Sequence, residues 1–291
     1  MNFRIATRAS NLAMTQSLYI RDLLMKETSI ECEIVKISTL GDRDNVSDLA
    51  AIGGTGVFTK EVEKALLNGD AEIAVHSLKD IPAPSADPSD TSEILRFSAF
   101  PIREDARDAF VPSKSNAQYT LVSLPEGSKI ATSSPRRAAL IAQSRPDIQI
   151  VPIRGNVETR LKKIDQGEAD ATFLAVAGIH RLNIDRPYTP MPLELFPPAA
   201  GQGILAVQSA KDDVHEILKQ IDNPEVRRIA EAERTILGNI GGGCNHAVGI
   251  HIVKGWYFYG CRQIGDKLVR FEYESSDLEE IVATATEKLK L

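Results

Sequence analysis

The sequence predicts an α/β protein. Two similar strand-and-helix units are followed by a smaller α/β unit built on an antiparallel three-stranded sheet. Three observations predict it. The first two-thirds of the 291 residues alternate strand-like and helix-like segments, as α/β layers require. "IATRAS" (5–10) and "IATSSP" (130–135) repeat the letters I-A-T, each where a strand runs into a helix. From about Asp222 the alternation stops, and one helix, three strands and a closing helix follow.

Each element has its own signal. "FRIAT" reads as a strand, followed by a helix from about Ser10 to Lys26, and "EIVKIST" as the next strand. Thr59 is placed to cap "KEVEKALLN", which stops at Gly69, a usual C-terminal glycine. "EIAVHS" is the strand after it, and "PAPSADPSDTS" (82–92) is a surface loop. The second unit begins near Arg103. "SKIATSSPRRAALIAQSR" reads as strand, turn and helix, with Ser134 as N-cap and Pro135 at the first helical position. "IQIVPI" is a strand, Asn156 caps "VETRLKKIDQ" ahead of Gly167, and "DATFLAV" is another strand. In the last part, "PEVRRIAEAERTILG" is a helix. "AVGIHIV", "WYFYGCR" and "LVRFEYE" are strands, with Lys254-Gly255 in the first turn. "DLEEIVATATEKLKL" is a helix with Ser276 as cap.

Composition narrows the function. A 43% hydrophobic and 25% charged chain is ordinary for a soluble globular protein, with room for two or three domains. No apolar run is long enough to span a bilayer, and "MNFRIATRAS" lacks the apolar core of a secretion signal, so a cytoplasmic location is expected. A net charge of −6 argues against general binding to nucleic acid or anionic lipid. Cys32, Cys244 and Cys261 are too few and too far apart for a disulfide framework or a zinc ribbon, and no metal is expected.

Three groups of residues carry chemistry. Arg8, Arg136, Arg137, Arg154, Arg160 and Arg181 sit at strand ends and helix starts, where α/β sheets gather ligands. Forked guanidinium groups there suit ligands with several carboxylates or phosphates. At the junctions, small hydroxyl residues meet helix N-termini whose free N–H groups attract anions. In "AVHSLKD", Lys79 and Asp80 follow an apolar strand. Asp80 is either half of a surface ion pair or an acid/base carboxylate tuned by its neighbours. His76, at the strand end, reads as structural. Cys244 ends the glycine run Gly241 to Gly243 in "GNIGGGCNHAVG". Such a run is costly to order, so either the stretch is a plain loop or something must approach its backbone closely. Cys32 and Cys261 read as core fillers.

Taken together, the motifs resemble the porphobilinogen deaminase (hydroxymethylbilane synthase) family. "RIATRAS", "GGTGVFTKEVEKALLNGDAEIAVHSLKDIP", "REDARDAF", "GSKIATSSPRRAAL", "IRGNVETRL", "DATFLAVAGIHRL", "AAGQG", "AERTIL" and "GGGC" occur in that order over nearly the whole chain. The resemblance implies three domains: 1–98 with 199–217, 103–196, and 220–291. The first two would be periplasmic-binding-protein-like and flank a cleft. It implies a dipyrromethane cofactor joined by a thioether at Cys244, the glycines letting the sulfur reach the cleft. It implies that four porphobilinogen molecules are added to this primer with loss of ammonia, and that linear hydroxymethylbilane is released by hydrolysis.

By the same resemblance Asp80 is the catalytic residue. Lys79, Thr132, Ser134, Arg136, Arg137, Arg154, Gly155, Asn156 and Ala175 would hold the cofactor. Arg8, Ser10, Gln16, Arg154, Arg160, Arg181, Gln202 and Gly203 would hold substrate. The chain departs from the family at Ala51 and Thr55, where a loop usually carries lysines. It departs again at Asn239, often arginine, and at Ala247, usually proline. A monomer acting on a small molecule is implied, with no nucleic-acid or membrane partner. The alternatives are a non-catalytic two-lobed binder of small organic anions, for which a loop thiol has no use, and an inactive paralog.

Overall fold

The computed structural model describes residues 2–37, 59–83, 94–242 and 246–290. Ala51, Thr55, most of the predicted 82–92 loop and Cys244 lie outside them. The described chain divides into two compact units, 1–104 with 203–231 and 105–202 with 232–291.

The first unit holds a five-stranded sheet. Its strands are β1 (Asn2–Arg8), β2 (Glu31–Ile37), β3 (Ile73–Ser77), β4 (Arg96–Ala99) and, much later in the chain, β10 (Leu205–Ser209). Their order is β2-β1-β3-β10-β4. β1 runs parallel to β2 and β3, whereas β10 runs antiparallel to β3 and β4. Helix α1 (Asn11–Thr28) buries Ile20 and Leu24 on one face of the sheet, against Phe3, Ile5, Ile73, Val75 and Val207. Helix α2 (Lys60–Leu67) buries Val62, Ala65 and Leu66 on the other face, against Ala6 and Ala74. Successive strand residues point to opposite faces, so Ile5 and Ala6 serve different cores.

The second unit repeats the plan. Its strands are β5 (Asp108–Pro112), β6 (Lys129–Ala131), β7 (Gln149–Val151), β8 (Ala171–Ala175) and the two-residue β9 (Thr189–Pro190), in the order β7-β6-β8-β5-β9. β6 is parallel to β7 and β8, and β5 is antiparallel to β8 and β9. Position for position, this is the arrangement of the first sheet. β1 and β6, which carry the two I-A-T segments, hold equivalent places. The helices are α3 (Pro135–Ser144), α4 (Val157–Asp165) and α5 (Val176–Arg181). Phe173 stacks on Phe196 at 5.3 Å and meets Phe110 edge-on at 5.9 Å in the core.

Helix α6 (Asp212–Leu218) completes the first unit, and the boundary between units falls within α7 (Pro224–Asn239). The second unit also contains the expected antiparallel sheet of β11 (Val248–Val253), β12 (Tyr257–Ile264) and β13 (Lys267–Glu274). Helix α8 (Leu278–Lys290) covers it through Ile281, Ala285 and Leu289. β11 lies so close to the preceding segment that a Cβ at Gly249 would stand 2.5 Å from the Pro197 carbonyl oxygen.

Capping follows the sequence at Ser134 and Asn156, whose side chains accept from the Arg137 and Thr159 backbone N–H, and Ser10 caps α1 in the same way, accepting from the Ala13 N–H. It departs at two places. Thr59 has helical backbone angles and makes no side-chain cap. At α8 the cap is Asp277, whose Oδ1 accepts from the Glu279 N–H at 3.0 Å, rather than Ser276. A carboxylate suits that position better than a hydroxyl because it also faces the positive end of the helix dipole.

Candidate active site

In the first unit the C-terminal ends of β1 and β3 meet the N-terminus of α1. Arg8 ends β1, and Ser10 caps α1. Thr7 Oγ1 donates to the Ala13 carbonyl at 3.2 Å, which fixes the turn between them. Gln16, buried on α1, donates from Nε2 to Ser77 Oγ at 2.9 Å and so ties the helix to the end of β3. β3 passes into a 3-10 turn, Leu78–Asp80, which is anchored through the Leu78 N–H on the Ile204 carbonyl and the buried Leu78 side chain. That anchor holds Lys79 half-buried and leaves Asp80 exposed. Arg8, Ser10, Gln16, His76, Ser77 and Asp80 line one small open recess, with Thr59 and Val62 of the α2 side. His76 is buried in its wall, and burial pushes its imidazole down to about 4, so the ring is neutral at ordinary pH. The reading of His76 as structural agrees with this. Gly203, with φ +87°, precedes Ile204 in the same unit.

In the second unit the equivalent junction is the turn Thr132–Ser134. The Ser134 N–H donates to Thr132 Oγ1, and the Thr132 N–H to the Val151 carbonyl. Ser133, which sequence reasoning passed over, donates from Oγ to the Ile153 carbonyl at 2.8 Å and accepts from the Ile153 N–H at 3.1 Å. This reciprocal pair clamps the turn to the segment that delivers Arg154. Gly155 then turns with φ +111°, where a Cβ would lie 2.6 Å from Thr159 Cγ2. Only glycine fits there. Arg160 reaches back from α4, its Nε on the Gly155 carbonyl at 2.8 Å. Arg154, Arg160 and Ala175 are half-buried, Asn156 is exposed, and Arg181 ends α5.

Arg136 and Arg137 are buried rather than presented on a surface. Asp108, the first residue of β5 and fully buried, lies between them. Arg136 Nη1 donates to Asp108 Oδ2 at 2.7 Å and to the Pro197 carbonyl at 2.8 Å. Arg137 donates to Asp108 Oδ1 through Nε (3.1 Å) and Nη2 (2.7 Å), and to the Phe173 carbonyl through Nη1 (2.8 Å). Gln202, also buried, donates to the Ala106 carbonyl and to Asp108 Oδ1. Burial alone would raise the Asp108 carboxyl, but the two guanidiniums outweigh it and hold the group well below the usual carboxylate range. Cys261 is buried nearby with its thiol pushed up to about 11, chiefly by burial, so it is an inert core thiol.

Among the described residues no group of His, Cys, Asp and Glu could hold a metal ion, and no helix is long and apolar enough to cross a membrane. What the described strand-to-helix junctions offer is arginines and helix N-termini, with the exposed carboxylate of Asp80 beside them in the first unit. That donor set fits a ligand bearing many carboxylates.

Comparison with known proteins agrees. Residues 3–218 match the family described as "Porphobilinogen deaminase, dipyromethane cofactor binding domain". The chain is similar to the porphobilinogen deaminase of Clostridium kluyveri, 41% identical over 276 residues that cover 93% of this chain and 92% of that protein. It is 42% identical to a probable porphobilinogen deaminase of Ignicoccus hospitalis, covering 86% of this chain and 81% of the other. It is also 41% identical to that of Geobacter sulfurreducens, covering 85% and 76%.

Proposed function

Because the chain belongs to the porphobilinogen deaminase family, we propose that the recess of the first unit is where porphobilinogen reacts and that Asp80 is its catalytic carboxylate. The activity is that of a tetrapyrrole-synthesising transferase, hydroxymethylbilane synthase. Four porphobilinogen molecules are joined with loss of ammonia and released by hydrolysis as linear hydroxymethylbilane. The observation that carries the site reading is the gathering of Arg8, Ser10, Gln16 and Asp80 on one recess.

Each residue has work it can do there. A carboxylate at Asp80 accepts hydrogen bonds from pyrrole N–H groups. It also stabilises the positive charge that develops on the substrate as ammonia departs. It can then take up the proton displaced when the new carbon–carbon bond forms. Arg8 and the N-terminus of α1 face substrate carboxylates, and Lys79 adds a further cation. Gln16 orients Ser77 at the wall through their hydrogen bond.

The dipyrromethane cofactor, when bound, supplies the nucleophilic pyrrole carbon from which the product grows. In the second unit Thr132, Ser134, Arg136, Arg154, Gly155, Asn156, Ala175 and Arg181 would hold its acetate and propionate groups and those of the added rings. Arg137 and Gln202 act there through Asp108, and Arg160 also braces the Gly155 turn. Cys244 would be the point of attachment. The chain is read as a cytoplasmic monomer.

The test uses purified full-length protein incubated with porphobilinogen. Consumption of porphobilinogen, formation of a linear tetrapyrrole, and loss of both in Asp80→Asn are expected. Unchanged turnover in Asp80→Asn would overturn the assignment.

A further inference from the structure

The cluster around Asp108 contains more positive than negative charge. One carboxylate, fully buried, meets two guanidiniums that are themselves buried, and the remaining donor, Gln202, is neutral. Uncompensated charge out of water is costly, so the leftover cation calls for an anion. The hydrogen bonds show where it is presented. Arg137 has all three nitrogens committed to Asp108 and Phe173. Arg136 commits only Nη1, and its Nε and Nη2 make no hydrogen bond among the described residues. Nε and Nη2 form the side edge of a guanidinium, the edge that grips a carboxylate with two parallel bonds.

We infer that Asp108 is a positioning residue: by clasping Arg137 and one nitrogen of Arg136, it aims the uncommitted edge of Arg136 at a carboxylate of the primer. Gln202 supports it by donating to the same oxygen that Arg137 holds. The inference rests on the deaminase reading, since the carboxylate in question is the one that reading supplies. The arrangement is rigid by construction. Arg136 is pinned at one end by Asp108 and the Pro197 carbonyl, and the Pro197–Gln202 segment is itself held. The Ile250 N–H donates to Pro198, and the Gly201 N–H donates to buried Glu233 at 2.6 Å. An arginine so held loses little side-chain freedom on binding, which is the physical gain of a preorganised site.

The test reads primer loading by intact mass. Cofactor-free chain is incubated with porphobilinogen, and the rate of mass gain equal to two pyrrole units is measured for wild type, Asp108→Asn, Arg136→Gln and the double variant. Circular dichroism confirms folding at the same temperature. A wild-type chain that gains no mass refutes the deaminase reading and, with it, the primer carboxylate this inference needs; failure of the inference alone shows in the variants once wild type loads. If wild type loads, both single variants should load at least tenfold more slowly. The double variant should be no slower than Arg136→Gln alone, because Asp108 acts through Arg136. Losses that multiply would mark an independent structural role and overturn the inference, as would loading at the wild-type rate in Asp108→Asn. Should Asp108→Asn not fold, Gln202→Leu takes its place, leaving both ion pairs intact. A several-fold slower loading in that variant, absent from its combination with Arg136→Gln, supports the inference, and wild-type loading overturns it.

Discussion

The two five-stranded sheets share one plan and use it for opposite purposes. In the first, the junction after β1 leaves Arg8 and Ser10 on an open recess, and the carboxylate of note, Asp80, is exposed at the end of β3. In the second, the junction after β6 turns its arginines inward, and the carboxylate, Asp108, is buried at the start of β5. An exposed carboxylate can exchange protons and meet a ligand. A buried one, locked between guanidiniums, can only orient them. The two carboxylates lie at the same end of their sheets but on neighbouring strands of the shared plan, Asp80 after β3 and Asp108 at the start of β5, the counterpart of β10, and burial sets what a charge there can do.

The contrast can be broken by substitution. Asp108→Ala should lower stability by about 3–5 kcal/mol, the cost of leaving buried arginines without their partner, read from urea unfolding. Asp80→Asn should leave stability nearly unchanged and reduce turnover at least about a hundredfold. Equal stability losses at the two positions would erase the distinction. Arg154→Leu should slow chain growth by about tenfold or more, the worth of one charge-assisted contact, with the fold retained.

His76 sharpens the comparison through pH. Its folded value of about 4 lies below the unfolded value of about 6.5, so the unfolded chain binds the extra proton first. The stability from keeping the ring neutral is complete above about pH 6.5 and is lost as pH falls towards 4, by on the order of 3 kcal/mol. Thermal melts of His76→Gln should show a flatter decline across that window. The smallest effect is expected at the α8 cap, where Asp277→Ala should cost about 1 kcal/mol in the same melts.

Much of this was legible in the sequence because it rests on local signals. Ser134-Pro135 and Asn156 announce helix starts, and the β11–β13 strands alternate visibly. Leu205–Ser209 and Asp108–Pro112 gave no such signal. Both strands are buried along their whole length, so neither shows the alternation that marks a half-exposed strand. Asp277 was missed because Ser276 beside it is an equally good cap by residue type. At the site, Asp80 and the arginines stood out by placement and by resemblance. The fates of Arg136 and Arg137 did not. Whether a guanidinium faces a ligand or an internal carboxylate depends on a partner 28 or 29 positions away, which only the fold brings near. Ser133 was hidden for the same reason, its partner Ile153 being 20 positions away.

β10 sits between β3 and β4, yet the ribosome makes it more than a hundred residues after either. During synthesis the first sheet must wait with an unfilled slot while the whole of the second emerges and can close by itself. A chain truncated just before Gly203 would therefore carry every strand of the later sheet and an exposed, unpaired β3 edge, the kind of edge that invites aggregation.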